Sequence, residues 1–254
     1  MSRTFLVFLA SLFLTGVCLY LVGVATDDFV LRVAVKPMPL IALITWVLAG
    51  ARDGIGKIIA AGLVLGLTGD MLLEISDSTF IFGLIAFLFG HIAYIVALSR
   101  AAGQLAPLQA LPLAIYGGVM AMVLGPHLGP MAVPVVAYLL IICAMAWRAT
   151  AFAEARGGFA WLAMLGAVLF LFSDTLLAMD RFLEPITGVR PAVMLTYWFG
   201  QAGLAAGVVL GRETVSPHPP KRLDRIPELV PGSEQPDSEQ PDHRTPARQP
   251  RAEH

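Results

Sequence analysis

Residues 66–74 read Gly-Leu-Thr-Gly-Asp-Met-Leu-Leu-Glu and place one carboxylate, that of Asp70, inside a long apolar run. A charged side chain near the centre of a bilayer costs at least about 2.5–3.5 kcal/mol if it faces lipid, so such residues face the interior of a helix bundle. The pattern returns at residues 171–178, Leu-Phe-Ser-Asp-Thr-Leu-Leu-Ala, around Asp174. These two acids therefore indicate membrane-embedded helices and are the first candidates for a functional site.

The composition of the whole chain supports a membrane protein. Of the 254 residues, 57% are hydrophobic and 14% are charged, and the mean hydropathy is +0.75. Of the 17 Lys and Arg and 18 Asp and Glu residues, 15 follow Gly211. The net charge of −1 and the lack of a basic stripe give no reason to expect a nucleic-acid partner.

Eight segments have the length that a transmembrane helix requires, which is about 20 mostly apolar residues. We expect these helices at residues 5–25, 31–50, 57–75, 80–99, 108–125, 131–147, 159–179 and 189–210. The predicted fold class is all-α, a polytopic integral membrane helical bundle of about eight transmembrane helices within residues 1–211. Because the two acid motifs lie on helices of the same direction, a parallel repeat of two four-helix halves is conceivable.

The last segment, residues 212–254, is rich in Pro, Glu, Gln, Asp and Arg. Such a sequence cannot bury enough apolar surface to offset the loss of chain entropy. We expect residues 212–254 to form a disordered cytoplasmic tail.

Basic residues collect in the predicted loops at one end of the bundle. They are Arg3, Arg52, Lys57, Arg100, Arg148, Arg156 and the run that starts at Arg212. Because Lys and Arg mark cytoplasmic loops, we expect both termini in the cytoplasm. As a separate expectation, the membrane is a bacterial inner (plasma) membrane. At the other end, Glu74 and Asp77 are expected to be solvated.

Polar side chains on five predicted helices fall in the outer half or the middle of the membrane, given a rise of 1.5 Å per helical residue. They are Lys36, Asp70, His91, Asp174, Tyr197 and Gln201. On the fourth segment, Gly83, Phe87 and His91 recur every four residues and share a face with Tyr94. Glycine in that row favours close helix approach, so these polar groups are expected in a packed interior seam.

Each candidate residue also has a purely structural explanation. Lys36 could extend to the lipid headgroups from near a helix end, and His91 could link two helices by a hydrogen bond. Asp70 and Asp174 could be held in structural Asp–Lys pairs. Tyr197 and Gln201 are types that occur at membrane interfaces and between packed helices.

The inventory of reactive groups favours acid–base chemistry. His91 is the only histidine within a predicted span, and three or four ligands are typical of zinc sites. His91, Asp70 and Asp174 could together form such a site, but the expectation is no metal and no cofactor. No Gly-x-Ser-x-Gly nucleophile motif occurs. Two carboxylates in a low-dielectric pocket suit a reaction in which one acid delivers a proton and the other activates water.

These residues together resemble the YhhN-like membrane proteins, whose animal relatives include lysoplasmalogenase. The resemblance covers about residues 30–205 and rests on a dispersed set of positions: Lys36-Pro37, Gly69-Asp70, Leu73, Phe82-Gly83, Phe87, His91, Tyr94, Phe170, Ser173-Asp174, Ala178, Phe182, Tyr197 and Gln201. It implies a membrane-embedded hydrolase that cleaves the vinyl ether bond of lysoplasmalogens such as lysoplasmenyl-choline and lysoplasmenyl-ethanolamine. The products are a fatty aldehyde and a glycerophospho-alcohol.

Applied to this sequence, the resemblance makes Asp70 and Asp174 the expected acid and base, in either order. Lys36 would lie near the lipid headgroup, and His91, Tyr94, Tyr197 and Gln201 would bind or orient the substrate or water. The expected partners are a lysophospholipid substrate and the bilayer itself.

Two other functions fit the same residues. A small-molecule or lipid transporter could use the buried Asp pair and Lys36 to relay protons or to bind a substrate near the midplane. A non-catalytic membrane factor could use the polar seam only to specify packing.

Overall fold

The computed structural model describes residues 1–211, and the predicted disordered tail at residues 212–254 lies outside the described residues. Residues 1–211 contain helices and no strands. The α-helices are α1 Arg3–Ala25, α2 Phe29–Val35, α3 Met38–Gly50, α4 Gly54–Ile75, α5 Phe80–Ala101, α6 Ala110–Leu124, α7 Ala132–Arg156, α8 Trp161–Phe182 and α9 Val189–Leu210. Short 3-10 helices occupy Asp77–Thr79, Pro107–Gln109, Gly125–His127, Gly129–Met131 and Gly158–Ala160.

These helices make eight spans that are long and apolar enough to cross a membrane, which confirms the predicted fold class. Helices α2 and α3 together form one span, Phe29–Gly50, and each other α-helix belongs to a span of its own. Large apolar side chains such as Leu108 and Val133 are exposed on the outside of the bundle. Lipid is the solvent that accommodates such a surface.

The second span is interrupted at Lys36 and Pro37, where we predicted one continuous helix. Both residues keep right-handed helical dihedral angles. Pro37 and Pro39 lack the N–H groups that would continue the i→i−4 ladder, so the hydrogen bonding of the helix breaks there. The break sets Lys36 between two helical pieces.

Helix α7 is nine residues longer at its C-terminal end than the predicted segment, because it continues to Arg156. Arg148 is therefore inside a helix and only 4% exposed, whereas we placed it in a loop. Its guanidinium donates to the Ala102 carbonyl at 2.6 Å and to the Gln104 carbonyl at 2.8 Å. A charged side chain is tolerated here because it caps the carbonyl end of α5.

Helix α9 is the most buried span, and the span around α6 is the least buried. Close glycine contacts join α9 to α8. A Cβ atom added at Gly166 would lie 2.5 Å from the Gly200 carbonyl oxygen, and one at Gly207 would lie 2.3 Å from the Ala163 nitrogen. The backbones of these two helices can approach so closely only because these positions lack side chains.

Helices α4 and α5 pack in the same way. A Cβ atom added at Gly69 would lie 2.7 Å from the Phe87 ring and 2.9 Å from the Gly83 carbonyl oxygen. The structure therefore confirms the packed seam that we predicted for the Gly83 face. Each acid-bearing helix, α4 or α8, is held against the helix that follows it.

Candidate active site

A buried ion cluster, which comprises Lys36, Asp70 and Glu74, lies near the C-terminal end of α4. Lys36 Nζ is 2.9 Å from Asp70 Oδ1 and 2.8 Å from Glu74 Oε2. Each of the three side chains is at most 5% exposed. Asp70 and Glu74 meet the same ammonium group because they are one turn apart on one face of α4. The Asp–Lys contact that we considered as a structural alternative is thus present, with a second carboxylate added.

Glu74 makes contacts with three further helices. Its carboxylate accepts a hydrogen bond from the Tyr20 hydroxyl on α1 at 3.0 Å and one from Arg32 Nε on α2 at 3.0 Å. Arg190 Nη1 on α9 lies 3.4 Å away. Four donors around one carboxylate compensate much of the cost of removing it from water.

The expectation that Glu74 is solvated is therefore wrong. Its position near the end of a helix indicated water, but α1, α2 and α9 cover it. The spacing of four residues from Asp70 was the one sequence signal that could have placed it in the site. Asp77, in contrast, is 88% exposed as expected, and it pairs with Arg181 at 2.7 Å.

A second polar group joins α5, α7 and α8. The Tyr138 hydroxyl lies 3.0 Å from His91 Nε2 and also donates a hydrogen bond to Asp174 Oδ2. His91 is 1% exposed, and the side chain of Asp174 is 16% exposed. Tyr138 therefore links His91 and Asp174, which the sequence indicated as two separate candidates.

Tyr138 is not among the seven site residues that we predicted from the sequence. It is a single tyrosine in the apolar helix α7, without another polar residue one turn away. Tyrosine of this kind is common in cores and at membrane interfaces, so the sequence held no signal that would have found it.

Tyr94 and Gln201 form a third polar pair, in which the Tyr94 hydroxyl donates to Gln201 Oε1 at 2.6 Å. Glycines on α4 make room for it. A Cβ atom at Gly62 would lie 2.3 Å from the Tyr94 ring, and one at Gly66 would lie 2.7 Å from Gln201 Nε2. Both polar side chains are fully buried between helices.

Tyr197 packs among aromatic rings at the centre of these groups. Its ring centroid lies 5.6 Å from that of Phe87 and 5.2 Å from that of Phe170, and Phe170 in turn lies 4.8 Å from His91. The aromatic contacts fill the space between the ion cluster and the His91–Tyr138–Asp174 group.

A cavity of about 130 Å³, here called the polar cavity, brings several of these residues together. Its charged and hydroxyl-bearing lining residues are Tyr20, Lys36, Asp70, Glu74, Ser173, Asp174, Asp180, Arg190 and Tyr197. Of the seven predicted site residues, Lys36, Asp70, Asp174 and Tyr197 line it. His91, Tyr94 and Gln201 do not line it and lie behind its wall.

Two polar atoms of the lining residues, Asp70 Oδ2 and the Tyr197 hydroxyl, have no hydrogen-bond partner within residues 1–211. A buried polar group without a partner is costly, so these atoms are suited to contact a substrate or water. Among residues 1–211, no group of three or more His, Cys, Asp and Glu side chains is arranged to hold a metal ion.

Comparisons with known proteins agree with the earlier resemblance. The YhhN family model matches residues 31–208, a range that contains all seven predicted site residues. The chain is 34% identical over 195 residues to the lysoplasmalogenase TMEM86B of Homo sapiens, covering 74% of this chain and 81% of that relative.

A lysoplasmalogenase of Mycobacterium bovis is also 34% identical, over 160 residues that cover 59% of this chain and 60% of the relative. TMEM86B of Sus scrofa, again named lysoplasmalogenase, is 32% identical over 181 residues. No solved structure matches the chain. The matched range and the human relative show that this chain belongs to the YhhN family.

Proposed function

We propose that this integral membrane protein is a hydrolase that cleaves the vinyl ether bond of lysoplasmalogens. The names of its relatives support this activity and favour it over transport. The observation that carries the chemistry is a polar cavity lined by two aspartates from different helices, Asp70 of α4 and Asp174 of α8. Two carboxylates that face one small space suit paired proton transfer.

The proposed reaction begins with transfer of a proton from one aspartic acid to the β-carbon of the vinyl ether. The positive charge that results is shared between the α-carbon and the ether oxygen as an oxocarbenium ion. Water adds to the α-carbon and loses a proton to the second aspartate, which yields a hemiacetal. The hemiacetal collapses to a fatty aldehyde and the alcohol of a glycerophospho-choline or glycerophospho-ethanolamine, so that one water is consumed per bond cleaved.

The other predicted residues are proposed to support these two acids. Lys36 positions Asp70 through its 2.9 Å contact. His91 acts on Asp174 through Tyr138, to which both are hydrogen-bonded. Tyr197 lines the polar cavity and is proposed to orient water or the ether oxygen. Tyr94 and Gln201, which are hydrogen-bonded to each other, are proposed to stabilise the helix packing behind Tyr197.

The decisive test uses Asp70→Asn and Asp174→Asn, purified in detergent and given lysoplasmenyl-choline or lysoplasmenyl-ethanolamine. General acid–base catalysis contributes typically 10²–10⁴-fold, so we expect aldehyde release to fall by at least about 100-fold in each variant. Asp77→Asn is the matched control, because Asp77 is an exposed carboxylate just beyond α4. It should retain full activity.

A parallel reaction with a chelator tests whether the activity of the wild type depends on a metal. Full turnover by both Asp70→Asn and Asp174→Asn, with normal folding, would disprove the mechanism. Absence of aldehyde release from either lipid by the wild type would disprove the proposed activity itself.

For the orientation, we propose that both termini face the cytoplasm of a bacterial inner membrane. An even number of spans places residues 1 and 211 on the same side, and basic residues such as Arg3, Arg52 and Lys57 lie at that end. A reporter that is active only in the periplasm, fused after residue 211, should be inactive. An active reporter would reverse the orientation.

A further inference from the structure

A second space, here called the apolar slot, adjoins the polar cavity between α5, α6, α7 and α8. It has a volume of about 60 Å³, and among residues 1–211 its one charged lining residue is Asp174. The three hydroxyl groups in its wall are engaged with protein atoms. Tyr116 and Thr175 lie 2.5 Å apart, and Tyr138 donates to Asp174. The slot is therefore suited to a hydrocarbon chain.

The apolar slot and the polar cavity share one wall. Leu73, Phe87, Asp174 and Leu177 line both spaces. Asp174 thus lies at the point where an apolar environment meets a strongly polar one. The vinyl ether of a lysoplasmalogen also lies between an apolar and a polar part, because it joins the hydrocarbon chain to the glycerophosphate.

The far side of the slot is formed partly by α6, through Met120 and Leu124. The span around α6 is the least buried of the eight. The α6 side of the slot is therefore the side nearest to the surrounding lipid, and the buried side chains of Met120 and Leu124 form its wall there.

The opposite end of the polar cavity carries a cation that is accessible from outside. The Arg190 side chain is 53% exposed, and it lines both the polar cavity and an adjoining open depression with Asp27, Arg32 and Asp180. Arginine is well suited to bind phosphate, and the two aspartates are suited to a cationic choline or ethanolamine group. Lys36 is less suited, because it is buried against two carboxylates.

We propose that the apolar slot binds the first few carbons of the alkenyl chain of a single-chain ether phospholipid, while its phosphate stays at Arg190. This inference rests on the proposed function and specifies how its substrate lies. The bound lipid spans the polar cavity, so that the first carbons of the chain lie beside Asp174 and the glycerol faces Asp70. Asp174 is then the acid that is closer to the carbon that receives the proton.

The test measures binding rather than turnover. The probe is a saturated alkyl-ether lysophosphocholine, which has no vinyl ether bond to hydrolyse, and it displaces a fluorescent single-chain lipid from the full-length protein in detergent. Ala178→Leu narrows the slot from α8, and Met120→Trp narrows it from α6. Each should weaken binding about tenfold, the equivalent of roughly two methylenes excluded from the slot.

The matched control is Ala49→Leu. Ala49 is also half-buried, and it lines an apolar groove between α1, α3 and α9 that includes none of the polar site residues. It should leave the affinity unchanged. For the other end of the lipid, Arg190→Gln should weaken binding of the alkyl-ether phospholipid but not of the same alkyl glycerol without phosphate.

Unchanged affinity in folded Ala178→Leu and Met120→Trp, weaker binding in Ala49→Leu, or no binding by the wild type would each overturn the proposal. Because binding is measured without turnover, these results are separate from failure of the proposed activity. If only the proposed activity is wrong, the wild-type protein will bind the alkyl-ether probe but will release no aldehyde from a lysoplasmalogen.

Discussion

At the scale of single residues, the hydroxyl of Tyr138 connects the buried histidine to an acid that lines the polar cavity. His91 makes no hydrogen bond to a carboxylate directly, since its Nε2 is 3.9 Å from Asp174 Oδ2. Tyr138 lies between them and contacts both. The hydrogen bonding of the Asp174 carboxylate therefore depends on a residue that does not itself stand out in the sequence.

Tyr138→Phe should keep the fold and lower kcat about 10–100-fold with little change in KM. The reason is that the Tyr138 hydroxyl is hydrogen-bonded to Asp174 and is not proposed to bind the lipid. Steady-state kinetics of aldehyde release gives both constants. Tyr116→Phe is the control, since that hydroxyl pairs with Thr175 and not with an acid. Unchanged kcat in Tyr138→Phe would remove this tyrosine from the mechanism.

At the scale of helices, glycine decides how closely the acid-bearing helices approach their neighbours. The α8–α9 contact relies on Gly166, where an added Cβ would meet backbone atoms of α9 at 2.5 Å. Backbone cannot move aside as the end of a flexible side chain can. The interruption of the second span is a similar local effect, since Pro37 removes the hydrogen bond that would have continued the helix.

Gly166→Ala should destabilise the protein by about 1–3 kcal/mol, because the two helices must separate to admit one methyl group. Thermal unfolding in detergent measures the change. Gly118→Ala provides the comparison, because Gly118 is also within a helix and an added Cβ there meets nothing within 4 Å. That variant should be neutral or slightly stabilised, and equal loss in both variants would contradict the packing explanation.

At the scale of the whole molecule, the carboxylate of Glu74 ties together helices that are distant in sequence. Tyr20, Arg32, Lys36 and Arg190 reach it from α1, α2, the break before α3, and α9. A buried ionic group of this kind is costly to disrupt in part, because the remaining charges lose their partner.

Glu74→Gln should lower the free energy of unfolding by about 3–5 kcal/mol, the range seen when one member of a buried ion pair is removed. Unfolding in detergent would show the loss, and Asp77→Gln, at an exposed pair beyond the same helix, should change stability by less than about 1 kcal/mol. If both variants lose the same small amount, the Glu74 contacts do not stabilise the bundle.

Several features of this protein could be predicted from its sequence because they depend on local apolar length and on isolated charges. The eight spans follow from runs of about 20 apolar residues. Asp70 and Asp174 stand out because acids are rare in such runs, and the row from Gly83 to Tyr94 follows from helical spacing. Most span boundaries agreed to within a few residues, and α7 was the exception.

Other features were decided only by the tertiary structure. In a membrane, the lipid-facing and buried sides of a helix are both apolar, so the spacing of apolar residues alone does not show how a helix is rotated. That rotation buries Glu74, which its place near a helix end had suggested was solvated, and sets Tyr138 between His91 and Asp174. It also makes four of the seven predicted residues line one cavity and leaves three behind its wall, because a cavity is a property of several helices at once.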